Sequence, residues 1–233
     1  MISRIILSII NFFKFFDSSF SIKNKSQKEA NKIQLNLLNK LISKSKHTKF
    51  GVDHNFVNIK NYSDYVNKVP IRDYEKIKKY VELIKDGKEN ILWPGKPKYF
   101  AKTSGTTSGT KYIPITKESL KNQIKSASYL LFNYLNEKKS FRSIKGKAMF
   151  ISGSPNLNEI NQIKIGRLSG IVNYHEPFYL KNILLPSKKT NKIEDWEKKI
   201  EKIVDETKNK DLRILGGIPP WIQMYFDVLI QKT

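Results

Sequence analysis

Tyr99-Phe100-Ala101-Lys102-Thr103-Ser104-Gly105-Thr106-Thr107-Ser108-Gly109-Thr110-Lys111-Tyr112-Ile113-Pro114-Ile115-Thr116 is the stretch that decides how this 233-residue chain is read. Its two ends, Tyr99 to Lys102 and Tyr112 to Ile115, carry the aromatic and β-branched residues of short strands. Between them, Thr103 to Ser108, Gly109 and Thr110 are all glycine or small hydroxyl residues, and Lys111 closes the run. Glycines let backbone N–H groups bend into a concave nest, hydroxyls add donors, and a lysine supplies positive charge. Those are the requirements of a polyphosphate, and the flanking strands would hold the loop at the edge of a rigid sheet. The common P-loop pattern is excluded. Gly105 and Gly109 are separated by three residues rather than four, Thr110 precedes the lysine, and Tyr112 stands where a magnesium-binding hydroxyl belongs. The dinucleotide fingerprint fails as well. A flexible Ser/Thr/Gly linker is the competing reading of such a composition. The flanking strand residues, the single lysine and the lack of proline or acid within the loop favour phosphate.

Working outward from the loop, strands and helices alternate. Thr116 is placed to cap a helix from Lys117 to about Asn136, and Ala148 to Ser152 reads as a compact apolar strand. The stretch from Asn191 to Asn209 predicts a helix with Ile193, Trp196, Ile200, Ile203 and Val204 on one face. Acids at its start and lysines at its end suit the helix dipole. Leu212 to Leu215 follows as a strand, Gly216 to Pro220 as a turn, and a helix opens near Trp221. This order predicts an α/β sheet layered with helices.

Upstream the texture is helical. Ile33, Leu37, Leu38, Leu41 and Ile42 make one stripe over Ala30 to Ser43, and Gly51 is a plausible left-handed stop for the turn after it. Ser63 is expected to cap a short helix ending before Pro70. Another begins near Asp73, with Tyr74, Ile77, Val81 and Ile84 on one side and Gly87 past its end. Leu92-Trp93-Pro94-Gly95-Lys96-Pro97 is dense in turn residues. The expected organisation is therefore a mainly helical segment, 1–95, followed by an α/β part, 96–233.

Composition narrows the function. Hydrophobic residues at 39% are enough for a packed core, and the absence of cysteine removes disulfides and thiolate metal sites. The formal net charge is +22, which raises nucleic acid and anionic surfaces as partners. The lysines are spread among Asn, Ile and Ser rather than clustered, and the aromatics form no stacking strip, so no nucleic-acid partner is expected. Ile2, Ile5, Ile6, Ile9, Phe13 and Phe16 fall at helical spacing, too short to span a bilayer and without a cleavage site after them. They predict an amphipathic helix packed on the protein, with weak membrane-surface contact as its other use. His47 and His54 flank Gly51 and read as surface residues. His175, in a polar turn, and Tyr129 and Phe132, on the helix after the loop, are candidates for lining an organic substrate's pocket; helical aromatics are more often core.

The whole of Tyr99 to Thr116 resembles the phosphate-loop motif of the auxin-responsive (Gretchen Hagen type) acyl-acid amido synthetases, a branch of the adenylate-forming superfamily. Thr48-Lys49-Phe50-Gly51, Val69-Pro70-Ile71-Arg72-Asp73-Tyr74 and Ile91-Leu92-Trp93-Pro94-Gly95 are similar to its N-terminal segments. Gly166-Arg167-Leu168-Ser169-Gly170, Ile193-Glu194-Asp195-Trp196-Glu197 and Gly217-Ile218-Pro219-Pro220-Trp221 resemble later ones, in family order. The resemblance implies the N-terminal part of a firefly-luciferase-like adenylate-forming domain. It implies ATP with Mg2+, a small carboxylic acid, an amino acid acceptor and a cytoplasmic setting. On that reading Thr103, Ser104, Thr106, Thr107 and Ser108 donate to the phosphates, Gly105 and Gly109 permit close approach, and Lys111 offsets charge. The resemblance also leaves an acyl-CoA ligase-like enzyme and a non-catalytic remnant open. The family's adenine-binding motif, ribose-binding aspartate and mobile C-terminal domain would lie beyond Thr233, so a fragment or truncated product with little turnover of its own is expected.

Overall fold

Side-chain caps set where the helices of this protein begin, and they correct several boundaries read from periodicity. The structure, a computed structural model, describes residues 26–103, 109–138, 142–175 and 182–233. The amphipathic helix expected between Ile2 and Phe16 lies outside the described residues. The chain divides into two compact units, Met1–Ile71 and Arg72–Thr233. The turn-rich run around Gly95 falls inside the second unit.

In the first unit, α1 (Gln27–Ser45) opens on a capping box. Ser26 accepts the Glu29 amide, and the Glu29 carboxylate accepts the Ser26 amide at 2.8 Å. Of the predicted stripe, Ile42 is buried while Ile33, Leu37 and Leu41 are exposed. The short α2 (Lys49–Asp53) follows, capped by Thr48, whose hydroxyl accepts the Gly51 amide at 3.1 Å. Gly51 is therefore not a turn-ending residue but a buried helical one. A Cβ there would stand 2.2 Å from the Ser45 carbonyl oxygen, so the reason for glycine is close backbone approach. His54 is buried rather than on the surface, its ring stacked on Phe50 at 4.0 Å and Nδ1 donating to the Phe50 carbonyl at 2.6 Å. A 3₁₀ turn (Phe56–Asn58) leads to α3 (Tyr62–Lys68), whose cap is Asn61 rather than Ser63; Asn61 accepts the Asp64 amide at 2.9 Å.

The second unit starts with α4 (Tyr74–Lys85), capped by Asp73 and ended by Gly87 at φ +85°. Its strands are β1 (Tyr99–Lys102), β2 (Tyr112–Ile115), β3 (Lys147–Ile151), β4 (Asn158–Ile160), β5 (Ile163–Gly166), β6 (Leu184–Leu185) and β7 (Leu212–Gly217). Its later helices are α5 (Lys117–Lys138), α6 (Arg142–Lys145), α7 (Leu168–Tyr174), α8 (Lys188–Asn191), α9 (Trp196–Thr207) and α10 (Pro219–Lys232). Two sheets result rather than one: β2-β1-β5-β4, mixed, and β6-β3-β7, parallel. The β4–β5 hairpin escaped the sequence reading. Its two-residue turn, Asn161-Gln162, has both residues at positive φ, the geometry that Asn-Gly usually signals, with glutamine in glycine's place.

Each sheet has its own core. Tyr99, Ala101 and Ile115 of the mixed sheet pack with Leu120 and Ile171 from α5 and α7. Met149 and Ile151 of the parallel sheet pack with Ile200, Ile203, Val204 and Tyr225 from α9 and α10. The helix expected from Asn191 starts later, at Trp196: Asn191 is the last residue of α8, and Asp195 turns its carboxylate onto the Lys198 amide at 2.9 Å to start α9.

Lys199 is buried in this second core, with its ammonium donating to the Ser152 and Asn191 carbonyls at 2.9 Å each. It ties the exit of β3 to the end of α8. Burial lowers its pKa from the ordinary 10.5 to about 8. The folded state thus holds this proton less tightly than the unfolded chain, and the cost is fully present below pH 8 and relieved as pH climbs toward 10.5.

Two outcomes follow for stability. Gly51→Ala forces the Ser45–Lys46 backbone aside and is expected to cost about 1–3 kcal/mol, read as a Tm lowered by several degrees. Between pH 8 and 10.5, the unfolding free energy of the wild type should rise relative to Lys199→Met by roughly 1–3 kcal/mol, measured by denaturant titration across pH. Parallel pH profiles for the two proteins would contradict the assignment.

Candidate nucleotide-phosphate site

The loop from Thr103 to Lys111 is the connection of an antiparallel hairpin, since β1 pairs with β2 from Tyr99↔Ile115 to Lys102↔Tyr112. Two hydrogen bonds close its base. The Thr103 amide donates to the Lys111 carbonyl at 3.0 Å, and the Lys111 amide donates to the Thr103 hydroxyl at 3.4 Å. Gly109 has φ +77° and open space where a Cβ would stand, so backbone conformation rather than crowding calls for glycine there. Ser104, Gly105, Thr106, Thr107 and Ser108 lie outside the described residues. Of the predicted phosphate ligands, the structure describes Thr103, Gly109 and Lys111, and brings the first and last together at the mouth.

The rest of the mixed sheet fixes what surrounds that mouth. β1 runs parallel to β5, with Ala101 opposite Gly166, so the loop leaves the sheet at the same end as Gly166-Arg167 entering α7. The exit of β3 reaches this neighbourhood too: the Gly153 amide donates to the Ser169 hydroxyl at 3.4 Å, and the Arg167 stem lies against Gly153. Carboxyl ends of strands are where open α/β sheets bind ligands. From Tyr99 to Lys117 the chain contains no acid, while Lys102, Lys111 and Lys117 are basic.

Tyr74 of α4 was read from periodicity as one residue of a helical face, and the structure gives it a place at the loop. Its hydroxyl accepts the Tyr112 amide at 2.9 Å, and the Lys111 ammonium lies 5.6 Å from its ring centroid. β2 is an edge strand, and the alternation of an antiparallel ladder turns the backbone groups of residues 112 and 114 outward. Residue 114 is proline and has no amide. Lys85, at the other end of α4, sits 4.9 Å over the Tyr112 ring, and Phe100 meets that ring edge-on at 5.9 Å. The one signal in the sequence was Tyr74 directly after the capping Asp73, which a reading by helical period treats as ordinary.

Of the three residues predicted for an organic substrate, the structure describes the side chains of Tyr129 and His175. Tyr129 is half-buried on α5; Phe132 shares that helix, and its side chain lies outside what the structure describes. His175 follows α7, and its Nε2 is 2.7 Å from the Tyr99 hydroxyl. Tyr99 begins β1, four residues before Thr103, which puts it about 13 Å from the loop along the strand. Burial first, then Lys98 and Lys164, lowers the His175 pKa below its ordinary value. Among the described residues, no group of three or more His, Asp or Glu is placed to hold a metal ion. No described helix is long and apolar enough to cross a membrane.

Known proteins bear on this arrangement. No curated protein matches the chain. Solved structures share its fold, among them two acyl acid amido synthetases. A "GH3.15 acyl acid amido synthetase" superposes with a TM-score of 0.69 at 17% identity, covering 85% of this chain and 36% of its own. An "AtGH3.15 acyl acid amido synthetase in complex with 2,4-DB" superposes with a TM-score of 0.66 at 19% identity, covering 84% and 36%. The chain thus spans little more than a third of the length of these proteins. The GH3 family N-terminal domain matches residues 22–164, which include α1 to α4 and the entire loop. The chain belongs to the GH3 family, of which it carries part of the N-terminal region.

Proposed function

We propose that this chain supplies the ATP-phosphate site of an adenylate-forming acyl-acid amido synthetase. One observation carries the reading: a loop of small residues, pinned at its base by Thr103 and Lys111 and ending in a cation, in a chain of the GH3 family. Thr103, Ser104, Thr106, Thr107 and Ser108 donate to the polyphosphate through amides and hydroxyls, Gly105 and Gly109 let it approach, and Lys111 neutralises its charge. Magnesium arrives with the nucleotide as part of the substrate.

In the reaction so assigned, a carboxylate oxygen attacks the α-phosphorus of ATP and the bond to pyrophosphate breaks. The acyl-adenylate then meets an amine, whose nitrogen takes the acyl carbon while AMP leaves and the amine gives up a proton. The loop's contribution is electrostatic, since negative charge gathers on the departing pyrophosphate. An amino acid is the proposed amine, and Tyr129, Phe132 and His175 remain the proposed residues of the acyl side. The proposed setting is cytoplasmic.

Binding of ATP and of pyrophosphate, followed by phosphorus NMR or calorimetry, tests the assignment. Lys111→Ala removes a charge-assisted contact and is expected to weaken both ligands about tenfold to hundredfold. Gly105→Val should weaken them as well, with the fold retained by circular dichroism. Wild-type affinity in both variants would sink the phosphate assignment.

A further inference from the structure

We infer that Tyr74 is a positioning residue for the phosphate loop, setting where the Lys111 ammonium stands; the inference rests on the phosphate-binding reading above. Lys111 is the last loop residue, and its side chain has four rotatable bonds between backbone and charge. Unless something holds both ends, that charge wanders. Tyr74 holds both. Its hydroxyl takes the outward amide of Tyr112, the next residue along, at 2.9 Å, and lies 3.5 Å from the Tyr112 carbonyl. Its ring faces the ammonium, 5.6 Å from centroid to nitrogen, within the range of a cation–π contact. One side chain thus fixes the strand on which the lysine is mounted and offers a neutral surface to the lysine's charge.

The choice of an aromatic partner has a chemical consequence. A carboxylate at the same place would form an ion pair and compete with phosphate for the ammonium. A ring attracts the cation weakly and leaves its N–H donors for a ligand.

Tyr74 is itself firmly mounted. Asp73 caps the first turn of α4 by accepting the Lys76 amide at 3.0 Å, and Tyr80, Val81 and Ile84 are buried. At the far end, the Lys85 carbonyl accepts the Asn161 side-chain amide at 2.6 Å, linking α4 to the β4–β5 hairpin. The loop's exit is therefore referenced to a helix anchored at both ends.

The test uses this chain as wild type, Tyr74→Phe, Tyr74→Leu, Lys111→Ala and the Tyr74→Leu/Lys111→Ala double variant, each with a melting curve. Tyr74→Leu should weaken pyrophosphate and ATP about threefold to tenfold. In the Lys111→Ala background the same change should do almost nothing, because its effect runs through the lysine. Proton NMR without ligand supplies a separate readout: the Lys111 Cε protons should be shifted by the Tyr74 ring in wild type and Tyr74→Phe, and not in Tyr74→Leu. Additive losses in the double variant, or Lys111 signals indifferent to Tyr74→Leu, overturn the inference. If Tyr74→Leu fails to fold, Tyr74→Phe decides, and unchanged pyrophosphate affinity overturns it. A wild type that binds neither ligand removes the phosphate reading, while the ring shift still reports whether Tyr74 holds the lysine.

Discussion

Two hydrogen bonds across the foot of one hairpin, Thr103 amide to Lys111 carbonyl and Lys111 amide to Thr103 hydroxyl, give the polar loop a fixed origin. The described anchoring of the loop lies at its two ends. The Thr103 end follows β1, whose Phe100 is wholly buried and whose Tyr99 and Ala101 belong to a core, and the Lys111 end leads into β2. The constraint therefore passes from the core through one strand to the base of the loop, and the loop's chemistry depends on it.

Much of this was legible in the residues themselves. Strands β1 and β2 have the bounds that aromatic and β-branched residues suggested, because each sits between polar or turn residues that stop it. Thr116 caps α5 as its position implied, accepting the Ser119 amide at 3.0 Å. Where the reading failed, a local competition was decided by geometry that no periodicity encodes. Asp195 could have continued a helix or begun one. Asn61 and Ser63 were both fit to cap α3, and the residue whose carbonyl side chain reached the third amide won. Gly51 shows the converse, a glycine needed because a Cβ would stand 2.2 Å from the carbonyl of Ser45, a closeness invisible in composition.

The site was legible in part for a different reason. A loop proposed to hold phosphate advertises itself by residue type, since backbone amides and small donors at adjacent positions would do the binding. Its supports do not. Tyr74 lies 38 positions from Tyr112, and an apolar stripe with a tyrosine at its head looks like any other helix face until the sheet is built beside it. His54 was likewise misjudged, because a lone histidine beside a turn carries no mark of the Phe50 ring that covers it.

One feature of β2 reaches beyond the proposed phosphate site. The strand stands at the margin of its sheet, the situation in which unpaired amides recruit strands from other molecules. Here the amide at 112 is already occupied by the Tyr74 hydroxyl, and the residue at 114 is a proline with none to offer. Neither position offers an amide to a foreign strand, which would meet carbonyl acceptors alone. The tyrosine beside the loop thereby also takes up one of the amides through which a sheet edge pairs with other strands.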